Sequence, residues 1–76
     1  MRSNQFPNRT VVSTLRDRYP KGTRVELIEM EDPYTKLKPG DQGTVSCIDD
    51  TGTIFVNWDN GSRLGVVYGV DHIRKL

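Results

Sequence analysis

Residues 43–66 read G-T-V-S-C-I-D-D-T-G-T-I-F-V-N-W-D-N-G-S-R-L-G-V, and this stretch decides the fold. Successive side chains of a strand point to opposite faces, so Ile54, Val56 and Trp58 share one side while Phe55 and Asn57 share the other. Two clusters of short polar residues and glycine, at 49–52 and 59–61, bracket that strand as turns. A four-residue loop over 49–52 sets Cys47 opposite Ile54, Val45 opposite Val56 and Gly43 opposite Trp58. A three-residue loop sets Ser46 against Val56 and wastes the face. At the second turn a two-residue Asn60-Gly61 loop would place Trp58 against Arg63 and Val56 against Gly65. A three-residue loop with Gly61 in the left-handed region pairs Val56 with Leu64 and Ile54 with Val66 instead. A one-residue slip carries every side chain to the wrong face, so hydrophobic matching selects the longer loop.

The same punctuation continues outward. Gly22, Pro33, Gly40, Gly52, Gly61 and Gly69 mark turns at the short spacing of a small all-β domain. Strands are expected at about 23–30, 43–48, 53–58, 62–67 and 72–75. The chain has no alanine but 19 Val, Ile and Thr residues, whose β-branched side chains suit a pleated sheet better than a helix. Residues 31–42 carry two prolines and read as an ordered excursion over the surface. The expected core is Val25, Leu27, Val45, Cys47, Ile54, Val56, Trp58, Leu64, Val66 and Ile73.

Ahead of the strands lies a different pattern. Residues 1–8 read as a tail, and residues 9–19 as one short amphipathic helix with Val11, Val12, Leu15 and Tyr19 along one side. Asn8 or Thr10 can cap its start, and Pro20 followed by Gly22 ends it. So short a helix does not hold alone in water, so its stripe must dock on the sheet. Arg9 and Arg16 flank the stripe and are expected in solvent.

With 76 residues the chain makes one domain, of a size at which a single core rarely yields more than ~3–5 kcal/mol. No apolar run reaches the ~18 residues of a membrane span, and residues 1–5 lack the apolar middle of a secretion signal. The expected location is cytoplasmic, with no membrane partner. Net charge is +1 but unevenly spread. Residues 1–24 hold six cations against Asp17, residues 25–60 hold eight acids against Lys36 and Lys38, and the remainder is slightly basic. A basic lead segment resting on an acidic body explains this, and attraction to nucleic acid is the alternative.

Five short strands, a long first connection and a tight turn at 68–71 before the last strand reproduce the layout of an SH3-like barrel. Y-P-x-G-T-R-V-E-L at 19–27, D-P-Y-T-x-L-x-P-G-D-x-G-T-V at 32–45 and D-x-G-T-I-x-V-N-W-D-N-G-S at 50–62 add a closer likeness. With L-G-x-V-x-G-V-D at 64–71 they resemble a bacterial and mobile-element family, domain of unknown function 4314. The resemblance implies an SH3-like fold and a setting in bacteria, plasmids or phages, and implies no activity. Gly43-x-Val45 followed by Ile48 is similar to the KOW motif of ribosomal and transcription factors. Val56-x-Trp58-Asp59-Asn60-Gly61 is similar to the Mind-bomb type of substrate-binding module. Both strings are what the hairpins require in any case, and likeness of fold does not carry function.

Chemistry is sparse. A nucleophile needs a base within hydrogen-bond reach, and Cys47, expected in the core, is not evidently a neighbour of His72. The acids Glu29, Glu31 and Asp32, and the pair Asp49 and Asp50, lack the spacing of a calcium loop, and the aspartates are better used in turns. Gly40 and Gly43 precede a strand, so no helix N-terminus is there to take a phosphate. The expectation is therefore no catalytic residue, no metal and no cofactor.

Aromatic residues are the remaining lead. Phe55, on the outer face, either receives the helix stripe, which is favoured because the helix must dock, or joins a binding surface. Tyr34 and Tyr68 fall in connections that an SH3-like barrel brings to one side. Trp58 ends its strand and points inward, unlike the ligand tryptophan of peptide-binding SH3 domains, which argues against proline-rich ligands. The expected function is a non-catalytic module that binds an unidentified protein through Tyr34, Tyr68, Phe55, Lys36 and Asp32. The alternative is nucleic-acid binding through Arg2, Arg9, Arg16, Arg18, Arg74 and Lys75. A monomer and a dimer that exchanges its helix are both compatible with so short a chain.

Overall fold

The computed structural model describes residues 9–30 and 36–76. Helix α1 (Arg9–Arg18) leads into strands β1 (Arg24–Glu29), β2 (Gln42–Ile48), β3 (Thr53–Trp58), β4 (Gly65–Val67) and β5 (His72–Lys75). All pairings are antiparallel, in one sheet of order β4-β3-β2-β1-β5. The fold is thus mostly β, with one short helix. No ladder joins β4 to β5, so the sheet is not closed.

The sheet must nevertheless curl. At ~4.8 Å between strands, a flat sheet would hold β4 and β5 ~19 Å apart. Only residues 68–71 link them, and the N–H groups of Val70 and Asp71 both donate to the Val67 carbonyl, at 3.1 and 2.9 Å. The Asp71 carboxylate returns the contact by accepting the Val67 N–H at 3.0 Å. These bonds hold the start of β5 beside the end of β4, so the two edges meet at one corner.

Helix α1 docks as its stripe predicts, with Val12, Leu15 and Tyr19 buried and Val11 partly so. Leu15 and Tyr19 join the inward-facing residues of the sheet in one core with Val25, Leu27, Leu37, Val45, Ile48, Ile54, Val56, Trp58 and Val66. The helix therefore covers the inner face. The expectation that Phe55 receives it is wrong: Phe55 lies on the outer face and is 38% exposed. An apolar stripe goes where a contiguous apolar surface exists, and only the inner face offers one. Thr10 lies within the helix rather than at its cap, and its carbonyl accepts the Thr14 hydroxyl. Asn8 falls outside the described residues.

The register of β3 with β4 is the expected one, with Ile54 opposite Val66 and Gly61 at φ 95° in the connecting turn. β4 is shorter than expected, because 62–64 pass the sheet without forming a ladder. Between β2 and β3, Gly43 faces Trp58 and Val45 faces Val56, as expected. Beyond them the register shifts, so that Cys47 faces Phe55 and Ile48 faces Ile54. Cys47 is exposed, and its placement in the core is a misreading. The bulge resolves the choice between loop lengths. The loop takes the shorter form, and one extra residue at Ser46 restores the inward set with Ile48 in place of Cys47. Burying the isoleucine stabilises by roughly 1.5–3 kcal/mol. Leu64 and Ile73 are only partly buried, at the margin of the core.

Candidate functional site

Where α1, β3, β4 and β5 converge at the open corner of the sheet, a pocket of about 250 Å³ remains. Its floor is apolar, from Leu15 and Tyr19 of the helix end and from Ile54, Val66 and Ile73 of three strands. Its rim carries Arg18, Tyr68, Asp71 and His72. Each is there for a local reason. Arg18 ends the helix, where a cation suits the negative end of the dipole, and its guanidinium lies 5.7 Å from the Tyr19 ring centroid. Tyr68 begins the β4–β5 turn and is 49% exposed. The size is below the ~300–1,000 Å³ of small-molecule sites, and fits a side chain rather than a dinucleotide or similar cofactor.

Of the residues singled out in the sequence, Tyr68 and Arg18 come together at this rim. Phe55 does not: it stands on the outer face opposite Cys47 and Gly65. Lys36 is exposed, and Tyr34, Asp32 and Arg2 lie outside the described residues. The other lining residues, Leu15, Tyr19, Ile73 and His72 among them, were not assigned to a site by sequence reasoning. Their positions, spread over 15–73, carry no local signal of their meeting.

Three of the cations, Arg16, Arg24 and Arg74, pair with acids. Arg16, expected in solvent, donates from Nε and Nη2 to the Ile48 carbonyl at 3.3 and 3.0 Å, and from Nη2 to Asp50 at 3.0 Å. Arg74 of β5 pairs with Glu26 opposite it on β1. Arg24 makes a bidentate contact to Asp59 at 2.8 and 2.6 Å, and also donates to the Thr44 hydroxyl at 2.9 Å. That hydrogen-bonded pairing holds the Asp59 carboxyl below the usual range and raises Arg24. The Thr51 hydroxyl, with the N–H groups of Thr53 and Thr51, holds Asp49 below its usual range. Asp49 is thereby a turn-stabilising acceptor. Arg9 and Arg16 border a further hollow beside Val12 and Asp50.

Cys47 on β2 and His72 on β5 stand on strands separated by β1. Among the described residues no group of three His, Cys, Asp or Glu side chains is placed to hold a metal. No described helix is long and apolar enough to cross a membrane.

A family model, domain of unknown function DUF4314, matches residues 8–76, so nearly the whole chain is similar to that family and belongs to it. No curated protein matches the chain.

Proposed function

We propose that this member of the DUF4314 family is a non-catalytic protein-binding module, built as an SH3-like barrel and working in the cytoplasm of bacteria or in association with their mobile elements. The observation that carries the reading is the corner pocket, apolar within and rimmed by a half-exposed tyrosine. An apolar hole of this size, ringed by polar groups, accepts an anchoring side chain, which is the usual energetic centre of a protein interface. The bound segment would come from another protein.

Selection of a displayed library of random twelve-residue peptides on the immobilised chain tests this. Sequences should enrich on the native chain and be lost on Tyr68→Ala. Failure to enrich any sequence, or enrichment untouched by Tyr68→Ala, counts against the pocket as the binding site.

Nucleic acid is the second reading, favoured by the hollow that Arg9 and Arg16 border. Arg16 bonds there to an Asp50 side chain that is 98% exposed, a pairing that a phosphate can replace. Binding of oligonucleotides at ~50 mM salt, falling with a log–log slope of about −0.7 to −0.9 per contact, would establish it. Absence of binding there dismisses it.

A further inference from the structure

The turn that sets the register of β3 with β4 is chemically labile. Of the asparagines at 4, 8, 57 and 60, Asn60 alone is followed by glycine. A backbone nitrogen that follows an asparagine is able to attack the side-chain amide carbon, and a side chain on the following residue hinders the approach. Gly61 has none, and a Cβ built on it would meet nothing within 4 Å, so open space lies on that side. Asn60 and Gly61 are both exposed to water.

Both residues are there for the fold. Gly61, at φ 95°, takes the left-handed region that the turn requires. Asn60 Oδ1 accepts the Ser62 N–H at 2.9 Å, the local bond for which asparagine suits turns. The same turn ties down the reacting atoms. The Gly61 N–H donates to the Trp58 carbonyl at 2.9 Å, and the Trp58 N–H donates to the Ser62 carbonyl at 2.9 Å. Ring closure needs the Gly61 nitrogen to lose its proton and to turn toward Asn60 Cγ. That breaks its bond to Trp58 and draws Oδ1 away from Ser62.

We propose that Asn60-Gly61 is a site of spontaneous deamidation, restrained by the closed β3–β4 hairpin and released when the hairpin opens. In the opened turn hydroxide takes the Gly61 amide proton, and the nitrogen bonds to Asn60 Cγ. The Cγ–Nδ2 bond breaks and ammonia leaves, which closes a succinimide ring. Water then adds at one of the two ring carbonyls, so the net change is asparagine plus water to acid plus ammonia. Addition at the side-chain carbonyl gives aspartate. Addition at the main-chain carbonyl gives isoaspartate, in which the backbone runs through Cβ and Cγ.

The two products act differently on the fold. Aspartate keeps an oxygen for the Ser62 N–H. Isoaspartate lengthens the main chain by one carbon inside a turn whose ends are fixed, at Trp58 by the Ser62 carbonyl and through its Nε1–H by the Leu64 carbonyl. β4 has only three residues of ladder to hold its register against that change. Opening followed by isoaspartate formation is therefore one-way, because the lengthened turn does not close as before. The step depends on the hairpin alone and stands apart from what the pocket binds.

The full chain, kept for days in mildly alkaline buffer with and without enough guanidinium chloride to unfold it, tests this. Mass spectrometry of the digested chain with electron-transfer fragmentation locates the change and separates aspartate from isoaspartate. In denaturant Asn60 should convert, while Asn57, followed by the bulky Trp58, stays intact. In buffer the conversion of Asn60 should be slower by about tenfold or more, a ratio set by how rarely the hairpin opens. After refolding, the isoaspartyl chain should unfold at a lower guanidinium midpoint than the native one. Asn60→Asp, which carries the charge without the added carbon, should keep the native midpoint. Equal rates in the two conditions, or no conversion of Asn60 in denaturant, overturn the proposal. A midpoint unmoved in the isoaspartyl chain, or lowered as far by Asn60→Asp, overturns the one-way step.

Discussion

Gly43 is where a single methyl group should do the most damage for its size. It sits in the middle of the sheet on β2, opposite Val25 of β1 on one side and Trp58 of β3 on the other. A Cβ built there lies 2.6 Å from Val56 Cγ1, 2.9 Å from the Asn57 carbonyl oxygen and 3.0 Å from Trp58 Cα. The valine methyl can turn away, but the other two atoms are backbone and move only with β3. Overpacking of this kind costs about 1–3 kcal/mol. Against it stands about 0.4–1 kcal/mol from the stiffer unfolded chain that alanine gives. Gly43→Ala should therefore destabilise by about 1–2 kcal/mol, and at ~4–8 °C per kcal/mol lower the Tm by about 4–16 °C. Gly65→Ala is the control. Its Cβ meets the Thr53 methyl at 2.7 Å and the Phe55 ring at 3.4 Å, side-chain atoms beside a short edge strand with room to turn. Its loss should stay under about 1 kcal/mol. Thermal unfolding followed by circular dichroism, with urea titration to check that the slope is unchanged, measures both. A Gly43→Ala chain as stable as the native one, or less harmed than Gly65→Ala, would refute the close approach of β2 to β3.

The bulge makes a second pair of expectations: Ile48→Ala should cost about 2–5 kcal/mol, and Cys47→Ser should stay within about 0.5 kcal/mol in urea unfolding. The reverse order would restore the register without a bulge. Trp58 is 3% exposed and donates its Nε1–H to the Leu64 carbonyl at 2.9 Å. Trp58→Phe leaves that acceptor without the bond and opens space beside it, and should cost about 1–3 kcal/mol for the bond with the cavity in addition. Asp49 and Asp59 are held below their ordinary value of 3.8 in the folded chain, so each adds stability that is fully present above that value. This stability is lost as pH falls through their lowered folded values. The urea midpoint should drop between pH 5 and pH 2, and Asp59→Asn should drop less over that span. An unchanged decline in D59N would dissociate Asp59 from the acid sensitivity.

Much of the fold was legible because its determinants are short-range. The alternation of Ile54, Val56 and Trp58, the stripe of Val12, Leu15 and Tyr19, and the left-handed glycine at 61 each depend on a few neighbouring residues, and each is found where expected. Cys47 was misplaced because a bulge is invisible to strict alternation. It forms when the ladder gains more by burying Ile48 than it loses at Ser46, a comparison that needs the partner strand. Phe55 was misassigned for a similar reason, since nothing local says which face of the sheet a helix will cover.

What the amino-acid order determined by itself is the set of elements, most of their pairing and the inward-facing residues, because turn chemistry and periodicity act within a few positions. Only the tertiary structure decided where a partner can be received. The pocket gathers side chains from Leu15 to Ile73, and it exists because the turn at 68–71 draws two edges together without bonding them into a ladder. That arrangement is a property of the curled sheet and its docked helix, and no segment of the chain encodes it alone.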